Sequence, residues 1–261
     1  ELSLPEPWFW HMVPTLTWGP RRIRQTNGRV APPIFVRPFH LCHNLKEGIV
    51  PGTNPPPDSK AHLRQIARDA RRGAFLRFAD RMGVILTANF MARFSLGPDQ
   101  VIAGYWPVDE EADTRALMTA LAERGHIVAL PKVVRTGVPL RFIEWQPGDP
   151  LHPGYKGILE PDGAGRDVSP DTILVPLLGF DATGTRLGYG GGFYDRTLGA
   201  LRKSKRDTGK KCQAIGIAYS AQEVDSLPRA DHDEPLDWVV TETGSRALSG
   251  SKQTRAQGDS V

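Results

Sequence analysis

"TILVPLLGFDATGTRLGYGGGFYDRTL", residues 172–198, decides how this chain folds. It opens on a nearly continuous apolar run, Thr172 to Phe180, of the kind that a parallel sheet buries on both faces. It closes on Tyr194 and Leu198, which with Leu201 fall at helical spacing. Between the two lie Gly184, Gly188, Gly190, Gly191 and Gly192. Glycine loses more backbone entropy on ordering than any other residue, so such a cluster needs a cause: positive φ angles, or close approach of backbone to a ligand. A loop leading from the carboxyl end of a buried strand to the start of a helix is where open α/β sheets bind ligands. Backbone N–H groups in such a turn, with a helix N-terminus behind them, form a concavity for phosphate oxygens.

Three known phosphate loops are excluded or weak. The Walker pattern requires Lys and then Ser or Thr after the last glycine, and here Gly192 is followed by Phe193. The dinucleotide fingerprint needs GxGxxG, whereas Gly188, Gly190 and Gly192 give GxGxG with no acidic residue closing a following strand. A protein-kinase reading lacks HRD and DFG partners. A turn that only lets helix and strand pack closely also accounts for the glycines. Asp195 favours the ligand reading, because a carboxylate in the first turn of a helix, beside a phosphate cradle, is what a hard cation such as Mg²⁺ uses.

The flanks agree with an α/β sheet. "QVIAGYWPV" and "HIVALPKVV" read as strands, and "DTRALMTALAERGH" between them reads as a helix with Asp113 or Thr114 as N-cap and Gly125 as its stop. "CQAIGIAY" and "LDWVVTE" complete the strand set. Upstream, a basic helix is followed by "GVILTANFMARFSL", read as a second helix. The expected fold is a three-layer α/β/α domain with a mostly parallel sheet. Residues 59–243 are expected to form this single domain, 1–58 an irregular, proline-rich extension, and 244–261 a disordered tail.

With 261 residues, 39% of them hydrophobic and a formal net charge of +4, the chain has material for a sizeable core and no strong electrostatic bias. Two cysteines far apart, Cys42 and Cys212, argue against a disulfide framework and for a reducing compartment. His40, Cys42 and His43 lie close together but need further ligands to hold a metal. No apolar run is long enough to span a bilayer. The stretch from Met12 to Lys46 has arginines and no acidic residue, faintly like an organellar transit peptide, but it is too proline-rich for an amphipathic helix. The expectation is a cytoplasmic protein, with organellar import the lesser alternative, that acts as a monomer and binds neither membrane nor nucleic acid.

Lys60, Arg64, Arg68 and Arg72 recur every four residues, which makes either a solvated helix face or an anion-facing stripe. The stripe and the arginines of the extension also motivate a nucleic-acid-binding alternative. Another phosphoryl transferase on the same scaffold is a third possibility.

Four segments in order resemble the 5-formyltetrahydrofolate cyclo-ligase family, also called methenyltetrahydrofolate synthetase. "KAHLR", residues 60–64, is similar to its KxxLR; "YWPVDEEADT" to its strand and E-x-(D/E)-T helix start; "VPLLGFDATGTRLGYGGGFYDR" to its GFD turn and RLGxGGGFYD loop; and "DHDEPLDWVVTE" to its closing HDxxxD segment. The resemblance implies ATP-dependent closure of 5-formyltetrahydrofolate to 5,10-methenyltetrahydrofolate with Mg²⁺. It assigns Lys60 and Arg64 to ATP phosphates and Arg186, Leu187, Gly188, Tyr189, Gly190, Gly191, Gly192, Phe193 and Tyr194 to wrapping the nucleotide. Trp106, Glu111, Tyr189 and Phe193 fall on its folate positions, and Asp195 and Asp233 on its metal positions. No residue is singled out as a chemical catalyst. Arg68 and Arg72 gain no role, Tyr189 stands where relatives often carry a longer flexible or cationic side chain, and residues 134–156 align with nothing, although "GILEP" just after them, residues 157–161, resembles the family's pattern.

Overall fold

The computed structural model of the chain describes residues 59–249. The extension up to residue 58, with its His40, Cys42 and His43, and the tail from residue 250 lie outside the described residues. In chain order the elements are α1 (Lys60–Arg93), β1 (Val101–Ala103), α2 (Arg115–Glu123), β2 (Ile127–Lys132), β3 (Arg141–Glu144), β4 (Leu151–Pro153), β5 (Leu159–Pro161), β6 (Thr172–Pro176), β7 (Gly179–Phe180), β8 (Arg186–Leu187), α3 (Phe193–Asp207), β9 (Gln213–Ile217), β10 (Trp238–Thr241) and β11 (Gly244–Ala247). Seven strands form one sheet in the order β11-β10-β9-β6-β1-β2-β3. Its five inner strands run parallel, and β3 and β11 are antiparallel edges. Among the described residues no helix is long and apolar enough to cross a membrane.

The strands are apolar on both faces, and their period of two sorts them between two cores. Ile102, Val128, Leu130, Leu174, Ile215, Ile217 and Val240 face α1 and α2, where they meet Met82, Leu86, Phe90, Leu117, Met118 and Leu121. Their neighbours Ala103, Ala129, Ile173, Val175, Ala214 and Val239 face the other way, toward Leu198 of α3. Each fully buried leucine or phenylalanine contributes about 2 kcal/mol. The three layers expected from the sequence are therefore present.

The connections decide where a site can form. The chain leaves β1 through α2 to reach β2 on one side, and leaves β6 through α3 to reach β9 on the other. Because parallel crossovers are right-handed, opposite directions put α2 and α3 on opposite faces. The order reverses between β1 and β6, which are hydrogen-bonded neighbours. Beyond the carboxyl ends of these two strands the outgoing loops diverge and leave a crevice.

Three expectations change. The two helices expected upstream are one, α1, capped by the Ser59 side chain accepting from the His62 N–H at 3.2 Å. Gly83 does not break it: with no side chain there, α2 approaches so closely that a Cβ would sit 3.3 Å from that of Ala116. Nor is 244–249 a disordered tail, because β11 pairs with β10 from Gly244 through Ala247 and Leu248 is buried behind it. Asn89 of α1 fastens this hairpin, donating to the Thr241 carbonyl at 2.8 Å and accepting from the Ser245 hydroxyl at 2.9 Å. Finally, the apolar run 172–180 is not one strand: β6 stops at Pro176, and β7 turns back to pair antiparallel with β8.

One buried-edge contact makes the sheet acid-sensitive. Asp171 accepts from the Lys205 ammonium at 2.6 Å and the Val101 N–H at 3.0 Å, joining α3 to the start of β1. Burial opposes ionisation of Asp171, but these donors outweigh it and hold its carboxyl below the usual range. A depressed carboxylate stabilises the fold above its unfolded pKa and ceases to as pH falls through the folded value. Asp171→Asn is expected to lower Tm at pH 7 by about 2–4 °C and to flatten the acid limb of the Tm–pH curve below about pH 4, read by circular dichroism melts.

Candidate active site

The glycine loop leaves β6 through a tight turn built on Asp181, a carboxylate buried to 2% exposure. Its Oδ1 accepts from the Thr183 N–H and hydroxyl and from the Thr185 N–H, and its Oδ2 accepts from the Leu227 N–H at 2.9 Å. Gly184 closes the turn at φ +87°, where an added Cβ would lie 2.5 Å from the Leu236 carbonyl oxygen. Gly184→Ala is therefore expected to cost at least about 2–3 kcal/mol, through left-handed strain plus a clash with backbone that cannot retreat, visible as a lower urea midpoint.

Beyond this turn, β8 delivers Arg186 inward. Its guanidinium donates to the Glu234 carbonyl and to Asp195, and Asp195 Oδ1 also accepts from the Glu234 N–H at 3.2 Å. The start of α3 is thus fastened to the segment carrying Asp233. Burial pulls the Arg186 guanidinium below its ordinary pKa, Asp195 being the principal compensation. Leu187 belongs to a small apolar cluster with Ala67 of α1, Leu178 and Leu227, and Tyr194 packs against the α3-side core. The resemblance assigns the segment Arg186 to Tyr194 to wrapping the nucleotide; within it the side chains of Arg186, Leu187 and Tyr194 brace the loop from beneath, which leaves the backbone and the glycines as the exposed part.

Over that support the loop opens. Gly190 and Gly192 adopt φ +90° and +64°, and Gly192 is the N-cap of α3, so the helix begins on a residue whose side chain cannot block its free N–H groups. Gly190, Gly191, Gly192, Asp195, Arg196, Gly199, Ala200, His232 and Glu234 line a groove of about 500 Å³. Arg64 enters from α1, its Nε donating to the Gly188 carbonyl at 2.9 Å. Lys60, one turn earlier, lies 3.1 Å from Asp233 Oδ2, which also accepts from the Ala230 N–H. Burial opposes ionisation of Asp233, but that N–H and the Lys60 ammonium hold its carboxyl below the ordinary range. Asp195 Oδ2 takes part in no hydrogen bond within the described residues and Asp233 is adjacent to the residue whose N–H binds Asp195, but among the described residues no three His, Cys, Asp or Glu side chains cluster as a metal site. Mg²⁺ needs only one or two carboxylates, with water and phosphate oxygens completing its shell.

A second group of residues, outside the lining of that groove, centres on the loop after β1. Glu111, 9% exposed, accepts from the Val108 N–H at 3.0 Å through Oε2 and from the Tyr189 hydroxyl at 2.9 Å through Oε1. Burial raises its carboxyl pKa, partly offset by these two bonds and by Arg71. Tyr189, half exposed, also accepts from Arg71. Trp106 meets Trp145 edge to face at 6.1 Å, with Arg115 5.9 Å above its ring. Phe193 meets Tyr155, which comes from the poorly aligned stretch, at 5.3 Å between ring centroids. Tyr155 is positioned by Glu160, whose Oε1 accepts its N–H at 3.2 Å.

The residue that sequence reasoning missed is Arg71. Steps of four from Lys60 lead to Arg68 and Arg72, both exposed, whereas the helical period of 3.6 leads through Arg64 and Ala67 to Arg71, which is 3% exposed. The signal was present, and a strict count of four drifts off the face.

The model of the 5-formyltetrahydrofolate cyclo-ligase family matches residues 58–242. The chain belongs to this family. The cyclo-ligase of Escherichia coli strain K12 is 34% identical over 179 residues, which cover 67% of this chain and 95% of that protein. The Haemophilus influenzae cyclo-ligase is 37% identical over 140 residues, 52% of this chain and 72% of the relative. Among solved structures, the 5,10-methenyltetrahydrofolate synthetase of Aquifex aeolicus superposes with a TM-score of 0.59 at 30% identity, covering 77% of this chain and 95% of that one. The synthetase from Mycoplasma pneumoniae, at 24% identity and a TM-score of 0.54, shares the fold. All four segments that resemble the family lie within the matched region, and two of them, the glycine loop and the closing HDxxxD, meet at Asp195 and Glu234.

Proposed function

We propose that this chain is a 5-formyltetrahydrofolate cyclo-ligase that closes 5-formyltetrahydrofolate to 5,10-methenyltetrahydrofolate at the expense of ATP. The observation that carries the residue assignment is the 2.9 Å bond from Tyr189 to Glu111. It joins the loop that would hold a triphosphate to the loop that would hold a pterin, and phosphoryl transfer between two substrates requires such adjacency.

A formamide oxygen is a poor leaving group. In the proposed reaction that oxygen attacks the γ-phosphorus and ADP departs; the neighbouring amine nitrogen then attacks the activated carbon, loses its proton, and phosphate leaves to give the methenyl bridge. Lys60 and Arg64 on α1, the N–H groups of Gly188 to Gly192 and the α3 N-terminus would bind and orient the phosphates. Asp195 and Asp233 would hold Mg²⁺, which when bound neutralises charge developing on the transferring phosphoryl group. Glu111 would accept the N–H donors of the pterin, a charge-assisted pairing about twice as strong as a neutral one. Phe193, Tyr155 and Trp106 would supply apolar walls. On this reading the chain acts as a cytoplasmic monomer on small molecules.

Purified chain mixed with 5-formyltetrahydrofolate, ATP and Mg²⁺ should generate the methenyl chromophore together with stoichiometric phosphate. No product from folded protein would refute the assignment.

A further inference from the structure

Arg71 is carried into the crevice by the α1 stripe that runs through Arg64, yet it faces the Glu111 side rather than the groove beside Asp195. Its side chain is 4% exposed. One terminal nitrogen donates to the Tyr189 hydroxyl, the other lies 3.4 Å from Glu110, and its Nε is buried without a partner. The Tyr189 hydroxyl in turn donates to Glu111.

The direction of this chain of bonds follows from its donors. A guanidinium only donates, so the phenol oxygen must accept from Arg71. Its single proton then goes to Glu111, which has to be the acceptor. The same contacts pin the glycine loop, because Tyr189 sits between Gly188 and Gly190.

We infer that Arg71 is a positioning residue for folate recognition: through Tyr189 it keeps Glu111 an ionised, correctly aimed acceptor and holds the glycine loop against the pterin side of the crevice. This rests on the reading of Glu111 as the pterin's acceptor. The groups facing Glu111 are Arg71 from α1, Tyr189 from the glycine loop, Tyr194 from α3, Tyr105 from the segment after β1, and Asp109 and Glu110 on its own loop. Arg71 is the cation in that set. Without it, burial and the Asp109 carboxylate are opposed only by the Val108 and Tyr189 hydrogen bonds, and the balance moves toward the neutral acid, which cannot accept two pterin N–H bonds.

The test is the pH profile of kcat/KM for 5-formyltetrahydrofolate at saturating ATP. Arg71→Met should move the acid limb up by about one pH unit and raise the KM for 5-formyltetrahydrofolate at least about 10-fold at pH 6, with kcat changed less than about threefold. Arg71→Lys should bring the limb back toward the wild-type position. Since a buried arginine variant can fail to fold, Tyr189→Phe on the half-exposed residue provides a second reading, with a higher KM for 5-formyltetrahydrofolate and a smaller upward shift of the limb. An unmoved limb in Arg71→Met, equal effects of Met and Lys, or wild-type KM and limb in Tyr189→Phe would overturn the inference while leaving the cyclo-ligase reading intact. Failure of the wild-type chain to form the methenyl product would overturn both.

Discussion

Asp195→Asn is expected to lower turnover about 10³-fold while leaving the protein folded. Asparagine keeps an oxygen for the Arg186 guanidinium and the Glu234 N–H, so the fastening of α3 to the 233–234 segment survives. What it removes is the negative charge that would draw a divalent cation to the phosphates. Losing that contribution to transition-state charge stabilisation is worth several kcal/mol, or about three powers of ten in rate. Asp195→Ala should lose activity equally and also stability, since Arg186, whose side chain is 6% exposed, is left without its carboxylate. Breaking a buried pair costs about 3–5 kcal/mol, and the 23% exposure of Asp195 reduces that to about 2–3 here. The helix-start position alone suggests an exposed carboxylate of little structural weight; the pairing with Arg186 gives it two duties that Asn and Ala separate. Steady-state rates across a Mg²⁺ titration, with urea unfolding of both variants, decide it, and undiminished turnover in Asp195→Asn would remove this residue from the metal site.

Glu111→Gln should lower kcat/KM for 5-formyltetrahydrofolate about 10²-fold, with KM for ATP changed less than about threefold. A hydrogen bond to a charged group is worth about 1.5–3 kcal/mol, and the amide both loses the charge and turns an NH₂ toward donors. Stability should move the other way. A carboxyl whose folded pKa is raised contributes stability below its unfolded pKa and loses it as pH rises through the folded value. At neutral pH the wild type therefore carries the burden of an ionised buried group, and Glu111→Gln should be at least as stable at pH 7 and show a flatter Tm–pH curve between pH 4 and 7. A variant both less active and less stable at every pH would mean that Glu111 serves the fold and not the substrate.

Local patterns made much of this legible. The apolar run Ile173–Phe180 announced a buried strand, though not its break after Pro176, and the glycines after it announced a loop. Other elements were hidden because their pattern is weak by itself. β3 is four residues long, and β11, "GSRA", has no apolar alternation; each exists because an edge of the sheet offers it a ladder. Gly83 reads as a break and acts as a contact point, since only the approach of Ala116 shows what its missing side chain is for.

The same division holds at the site. Sequence alone determined the chemical inventory, because residue types within one loop or one helix turn are local: glycines for backbone approach, Asp195 at a helix start, Lys60 and Arg64 one turn apart. Which groups meet was decided by tertiary structure. The reversal of strand order between β1 and β6 sets Glu111 against Tyr189, 78 residues apart in sequence, and the exact 3.6-residue turn of α1 selects Arg71 over Arg72 to join them. Contacts that close over such separations depend on the handedness of crossovers and the register of a sheet, which no single segment of the chain contains.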